Sequence, residues 1–232
     1  MNRDPFVLEL KKVCKAYGNH LVTPVLFDID LSVQKGEFVA VLGASGSGKT
    51  TLLNLIGLLD SPTRGEIFLQ GRDVSRMDED EKARMRRDFL GFIFQFHYLL
   101  PAFTVLENAL MPCRIKGREA EEEAKERIVE LLVRVGLGER LHYKPAQLSG
   151  GQQQRVAIIR ALANDPALVL ADEPTGNLDS VSGREVFDLM RELNRSTGKA
   201  FLMVTHDRTF AREADRILFL KDGRFVRESP PP

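Results

Sequence analysis

Gly43-Ala44-Ser45-Gly46-Ser47-Gly48-Lys49-Thr50, followed by Thr51, fills every fixed position of the phosphate-loop pattern G-x-x-x-x-G-K-[ST]. Before it, Phe38-Val39-Ala40-Val41-Leu42 is a short, valine-rich apolar run whose pattern predicts a buried strand. After it, Leu52-Leu53-Asn54-Leu55-Ile56 repeats apolar residues at helical spacing. Strand, glycine loop and helix in that order let the backbone wrap a phosphate chain with its N–H groups inward, where the helix N-terminus adds partial positive charge. Lys49 supplies a full charge for the β- and γ-phosphates, Thr50 a hydroxyl for magnesium, and Thr51 a further donor to phosphate. The chain is therefore expected to bind a nucleoside triphosphate.

Composition sets the frame for that expectation. The 232 residues, 43% of them hydrophobic, suffice for a packed core without disulfides or metal. Lysine plus arginine and aspartate plus glutamate each number 33, so the formal net charge is zero and gives no electrostatic reason to expect a nucleic-acid partner. Cys14 and Cys113 form no C-x-x-C pair, which fits a reducing cytoplasm and indicates neither a zinc site nor a disulfide framework. Met1-Asn2-Arg3-Asp4-Pro5 lacks the apolar core of a signal peptide, and no run approaches the ~18 apolar residues of a membrane span. Any membrane association is expected to come through a partner.

Along the chain, Phe6–Leu10, a turn at Gly18-Asn19 and Val25–Val33 predict an antiparallel β-region ahead of the phosphate loop. Ile67–Leu69 continues it, with a turn at Gln70-Gly71. From Asp78 to Asp88 acids lead and the bases Lys82, Arg84, Arg86 and Arg87 follow, as on the solvated face of a helix. Leu90–Phe94 predicts a buried strand ending at Gln95, and Phe96 to Val105 is unusually apolar for a loop. Helices are predicted over Glu119–Val135, about Gln152–Asn164 and about Ser182–Arg195, alternating with apolar strands over Ala167–Ala171 and Ala200–Val204. Such alternation is the mark of a parallel sheet covered by helices. Ile217–Leu220, Asp222-Gly223 and Arg224–Val226 predict a terminal hairpin, followed by a frayed Pro230-Pro231-Pro232 tail.

Three further groups carry chemistry. Asp172 and Glu173 end a predicted strand, where an open α/β sheet presents its ligands; they suit magnesium and the polarising of an attacking water, or else a helix-capping pair before Pro174-Thr175. Leu148-Ser149-Gly150-Gly151-Gln152 opens a helix with a hydroxyl and free N–H groups, serving a second anion or acting as an ordinary cap. One triphosphate is already served by residues 43–51, so the second cradle suggests use in trans across a head-to-tail dimer. Tyr17 is placed either to stack on an adenine or to pack a turn. His206, past the strand 200–204, is either structural or part of the site.

In order and spacing the phosphate loop, Gln95, Leu148–Gln152, Asp172-Glu173, Asn177-Leu178-Asp179 and His206 resemble the ATP-binding subunits of ABC transporters, across nearly the whole chain. The resemblance implies an α/β P-loop fold of the ABC ATPase type: one domain over 1–232, with a mostly parallel core, an N-terminal antiparallel region and a helical subdomain at roughly 96–160. It implies ATP and Mg2+ as ligands, Tyr17 stacking on adenine, Gln95 joining Thr50 and Asp172 at the metal, and His206 at the γ-phosphate. It further implies Asp179 as the link between two sites of a homodimer, although Asp179 could equally cap the helix after it.

Phe94–Pro101 and Phe103–Asn108 resemble the lipoprotein-releasing branch, and less closely the macrolide-exporter and cell-division branches. That implies two membrane-spanning subunits contacted through the loop around 95–108, at the cytoplasmic face of a bacterial inner membrane. Phe96, Tyr98 and Leu99 would line the socket, unless the loop folds onto its own core. A soluble ABC-type ATPase acting on DNA or ribosomes would carry long coiled-coil arms or paired domains, which the sequence lacks. A regulatory module without turnover would not need Glu173 and His206.

Overall fold

The computed structural model describes residues 5–18 and 22–229. Met1–Asp4, Asn19 of the expected first turn and the Pro230–Pro232 tail lie outside the described residues. Strands β1 (Phe6–Tyr17), β2 (Thr23–Gln34), β4 (Arg64–Leu69) and β5 (Arg72–Asp73) form an antiparallel sheet in the order β2-β1-β4-β5. A second sheet runs β10-β9-β3-β8-β7-β6, built from β3 (Phe38–Leu42), β6 (Leu90–Ile93), β7 (Leu168–Asp172), β8 (Ala200–Thr205), β9 (Arg216–Lys221) and β10 (Arg224–Ser229). All its neighbours are parallel except β10, which returns antiparallel to β9.

The central strands are apolar on both faces because both are covered, and their alternation divides the residues between two cores. Phe38, Ala40, Val169, Ala171, Phe201 and Met203 face a core built with α3 (Val105–Lys116), α4 (Arg118–Arg134), α5 (Gly150–Ala161) and α6 (Ser180–Thr197). Val39, Val41, Leu168, Leu170, Leu202 and Val204 face the opposite core, shared with α1 (Lys49–Ile56), the antiparallel sheet and Met85 of α2 (Glu79–Phe89). The short α7 (Arg208–Ala211) follows β8.

Two expectations need correction. The apolar run Phe103–Asn108 is not loop throughout: Thr104 caps α3, its Oγ accepting from the Glu107 amide while Glu107 accepts from the Thr104 amide at 2.8 Å. Pro112 lies inside this helix, where proline removes a backbone donor. The loop after Gln95 thus ends at Thr104, and Leu106–Asn108 belong to a helix whose Asn108 amide holds the Leu100, Phe103 and Thr104 carbonyls. The Asp78–Asp88 helix is also not wholly solvated. Its charge order is as expected, with Asp78 as cap, but Lys82 is buried and donates to Ser61 Oγ at 2.7 Å and to Glu79 at 2.8 Å. An aliphatic stem that tucks inward with its ammonium paired reads, in sequence, like any exposed lysine.

Candidate functional site

Parallel register brings four segments to one edge of the sheet. Leu42 pairs with Thr205, Val204 with Asp172, and Ala171 with Ile93. Gly43, His206, Glu173 and Phe94-Gln95 therefore leave adjacent strands side by side, at the carboxyl edge where open α/β sheets bind ligands.

The loop from Gly43 to Gly48 is shaped by its glycines. A Cβ on Gly43 would run into Ser47 Oγ and the Leu220 carbonyl. Gly48 stands at φ +104° directly before α1, a conformation that side chains resist. Lys49 Nζ lies across the loop, donating to the Gly43 carbonyl at 2.8 Å and the Ala44 carbonyl at 3.0 Å. Ala44, Ser45, Gly46 and Thr50 are exposed along the mouth, and Thr51 is half-buried behind them. Ser47 Oγ is buried and has no hydrogen-bond partner among the described residues. A buried orphan hydroxyl inside a cradle of positive-φ glycines and an ammonium held only by carbonyls is the donor set a polyphosphate completes.

On the neighbouring strand ends, Glu173 adopts φ +45° and its amide donates to the Val204 carbonyl at 3.0 Å. Its Oε2 lies 3.0 Å from His206 Nδ1 and accepts from the His206 amide at 3.3 Å. The Glu173 side chain is 16% exposed and that of His206 72%, so the pair spans from the sheet edge to solvent. Burial, reinforced by the Glu173 charge, raises the Asp172 carboxyl above its ordinary range, while Lys49 opposes the shift. Phosphate loop and acidic strand end thus share one electrostatic environment. Neither acid caps a helix; that part of the alternative is settled by Asp179, whose Oδ1 accepts from the Val181 and Ser182 amides at the start of α6.

Gln95 Nε2 donates to Asn177 Oδ1 at 3.1 Å and Asn177 Nδ2 returns a bond to the Gln95 carbonyl at 3.2 Å. The Ser149 hydroxyl caps α5 by accepting from the Gln152 amide at 3.3 Å, and its remaining O–H is exposed. Gly150 and Gly151 lie against Leu178 and Ser182 rather than against residues 43–51, so within one chain the two glycine turns do not meet. A cavity of about 430 Å³ next to them is lined by Glu173, Gly176, Asp179, Thr205, His206 and Phe210.

The sequence named Tyr17 but missed its supports. Its hydroxyl donates to Asp60 Oδ2 at 2.9 Å, and Lys15 lies 4.7 Å from the ring centre while bonding Asp60 Oδ1 at 2.5 Å. Burial and the Asp60 bond raise the Tyr17 phenol above its ordinary value. Lys15 and Tyr17 share a strand two residues apart, a spacing that places them on one face, but nothing local points to Asp60.

Beyond Gln95, Phe96 and Tyr98 are exposed, whereas Leu99 packs inward against the helical core. Leu99 is half-buried, so at this position the loop leans on its own core. Arg160 donates to the His97 and Tyr98 carbonyls at 2.7 Å each, and burial together with its charge lowers the His97 imidazole below its ordinary value. A mainly apolar groove of about 490 Å³ opens here, with Leu59, Phe92, Phe94, Tyr98 and Ile115 on its walls and Arg86 at its rim.

A phosphate cradle, an acid–histidine pair on the adjoining strand ends and a second glycine turn apart from the first define an ATPase of the cassette type. The chain belongs to the ABC transporter family, whose model matches residues 26–176. Among curated relatives it is 55% identical over 224 residues to the lipoprotein-releasing system ATP-binding protein LolD of Anaeromyxobacter dehalogenans (strain 2CP-C), covering 96% of this chain and 94% of that one. It is 52% identical to the LolD protein of Pseudomonas syringae pv. tomato (strain ATCC BAA-871 / DC3000), covering 96% and 98%. Among solved structures, the dimeric post-hydrolysis state of the ATP-binding cassette MJ0796 bound to ADP and Pi superposes with a TM-score of 0.84 at 42% identity, over 97% of this chain and 99% of that one.

Proposed function

We propose that this chain is the ATP-hydrolysing subunit of a transporter that releases lipoproteins from the bacterial inner membrane. Identity above 50% along nearly the full length of lipoprotein-releasing relatives carries that reading. The chemistry follows from the site. Tyr17 stacks on the adenine, and residues 43–51 hold the phosphates, with Lys49 turning from its loop carbonyls to the β- and γ-oxygens. Thr50, Gln95 and Asp172 would hold Mg2+, which would neutralise phosphate charge and relieve the repulsion between Asp172 and Glu173. Glu173 takes the proton of the attacking water, and His206, oriented by Glu173, faces the γ-phosphate.

Because Gly150 and Gly151 lie against Leu178 and Ser182 and not against their own phosphate loop, Ser149, Gly150 and Gly151 serve the loop of a second copy, and Asp179 beside them links the two sites. The helices between 105 and 161 act as a subdomain that carries this turn. Two membrane-spanning subunits each seat a cytoplasmic helix in the groove bounded by Phe94, Tyr98 and Ile115, with the loop from Gln95 to Thr104 as its margin. No helix among the described residues is long and apolar enough to cross a membrane; in this reading the membrane-spanning subunits hold the chain at the cytoplasmic face.

Affinity purification from membranes, with identification of the co-purifying subunits, tests the assignment. Subunits of a lipoprotein-releasing system are expected; those of a macrolide exporter or a division complex would move the chain to that branch. Phe96→Asp and Tyr98→Asp should reduce capture at unchanged ATP affinity, and undiminished capture would reject the groove.

A further inference from the structure

The ladder between β6 and β7 ends at Ile93 and Ala171, and beyond it the two strands diverge, one toward Gln95 and the groove, the other toward Glu173 and the phosphate site. Diverging strands leave carbonyls without ladder partners, and a buried one must be satisfied some other way. Here one side chain satisfies two. Gln154, wholly buried on α5, donates through Nε2 to the Pro174 carbonyl at 2.7 Å and to the Phe94 carbonyl at 3.2 Å. Both protons of its amide are therefore committed, one to each departing segment. Its Oε1 accepts no hydrogen bond from the described residues.

That asymmetry shows what the residue is for. A buried acceptor left unpaired costs folding free energy, so methionine or leucine would fill the space at lower cost if packing were the only demand. What glutamine adds is the pair of donors. They fix the distance between the carbonyl just before Gln95 and the carbonyl just after Glu173. Gln154 also stands one helical turn beyond the Gly150-Gly151 pair, on the same rigid helix. Outside the core the reciprocal Gln95–Asn177 bonds close the same bridge from the solvent side.

We infer that Gln154 is a positioning residue for hydrolysis, the internal tie that registers the partner-facing segment at Gln95, the Glu173 turn and the glycine turn of α5 against one another. The inference rests on the assignment of Glu173 to the hydrolytic step. Movement of the groove loop reaches Glu173 through the Phe94 and Pro174 carbonyls, and the phosphate loop and Tyr17 are left out of the path.

The test is Gln154→Met, which keeps length and volume and removes both donors, measured on the full chain beside wild type and Glu173→Gln. Equilibrium binding of a fluorescent ATP analogue should stay within about twofold, because neither carbonyl that Gln154 bonds belongs to the phosphate loop. The kcat per nucleotide-binding site should fall by at least about tenfold, since small displacements of a reacting group are costly. Amide exchange should quicken around Gln95 and Thr175–Asn177 and stay unchanged in α1. A merely structural role would instead lower the number of binding-competent sites without changing turnover per site. Should Gln154→Met fail to fold, Gln154→Ser leaves room for water to bridge the carbonyls and should show the same split between kcat and binding, smaller in size. Turnover per site within about twofold of wild type in a folded variant, or ATP affinity falling in step with kcat, would overturn the inference. Hydrolysis surviving in Glu173→Gln would overturn the Glu173 assignment itself and is read separately from the Gln154 result.

Discussion

Replacing Glu173 by glutamine separates the chemical step from everything else the site does. Glutamine matches the shape of glutamate and can still accept from the His206 amide, now 3.3 Å away, and the left-handed backbone at φ +45° is no harder for one than for the other. The contact with His206 is largely solvent-exposed on the histidine side, so its loss should cost less than about 1 kcal/mol of stability. What disappears is the proton acceptor. A general base contributes roughly 10²–10⁴ in rate, or about 3–5 kcal/mol of transition-state stabilisation. ATP affinity should hold or rise, because a carboxylate no longer faces the γ-phosphate, and the bound state should accumulate as a dimer. Phosphate release at saturating ATP, equilibrium nucleotide binding and size-exclusion chromatography with ATP measure the three quantities. A kcat within about threefold of wild type would refute the role of Glu173, since no smaller loss fits a missing base.

Other expectations follow from the geometry. Tyr17→Phe removes only the hydroxyl bond to Asp60 and should weaken ATP binding by about 1 kcal/mol or less, while Tyr17→Ala removes a stacking platform and should cost about 1–3 kcal/mol; titration calorimetry that found the two equal would exclude stacking. Gly46 and Gly48 both have positive φ, but a Cβ meets nothing within 4 Å at Gly46 and meets Leu26 at Gly48. Gly48→Ala should therefore lower the thermal midpoint and the ATP affinity more than Gly46→Ala, each through strain of about 1–3 kcal/mol. Burial raises the Asp215 carboxyl, but Arg191 and the Phe38 amide outweigh it and hold the group below its ordinary 3.8. A depressed acid stabilises the fold above its unfolded value and loses that contribution as pH falls through its folded value. Asp215→Asn should lower the denaturation midpoint at neutral pH and flatten its decline below about pH 4, and an unchanged acid limb would exclude Asp215 as a contributor.

The ATPase class and the parallel core are legible in contiguous residues: a glycine loop between a strand and a helix, two acids ending an apolar run, a serine-glycine turn opening a helix. Local pattern reached even the Asp179 cap and the charge order of α2. It failed where the deciding partner is distant in the chain. Lys82 looks solvated until Ser61 is brought beside it, and Leu99 looks like its exposed neighbours until the helical core forms beneath it. Tertiary structure alone set Asp60 under Tyr17, Glu173 against His206, and Gln154 between two carbonyls 80 residues apart in the chain, 94 and 174. Hydrogen bonds form between groups that the fold makes adjacent, and adjacency across parallel strands depends on sheet order and register, which no stretch of sequence carries on its own.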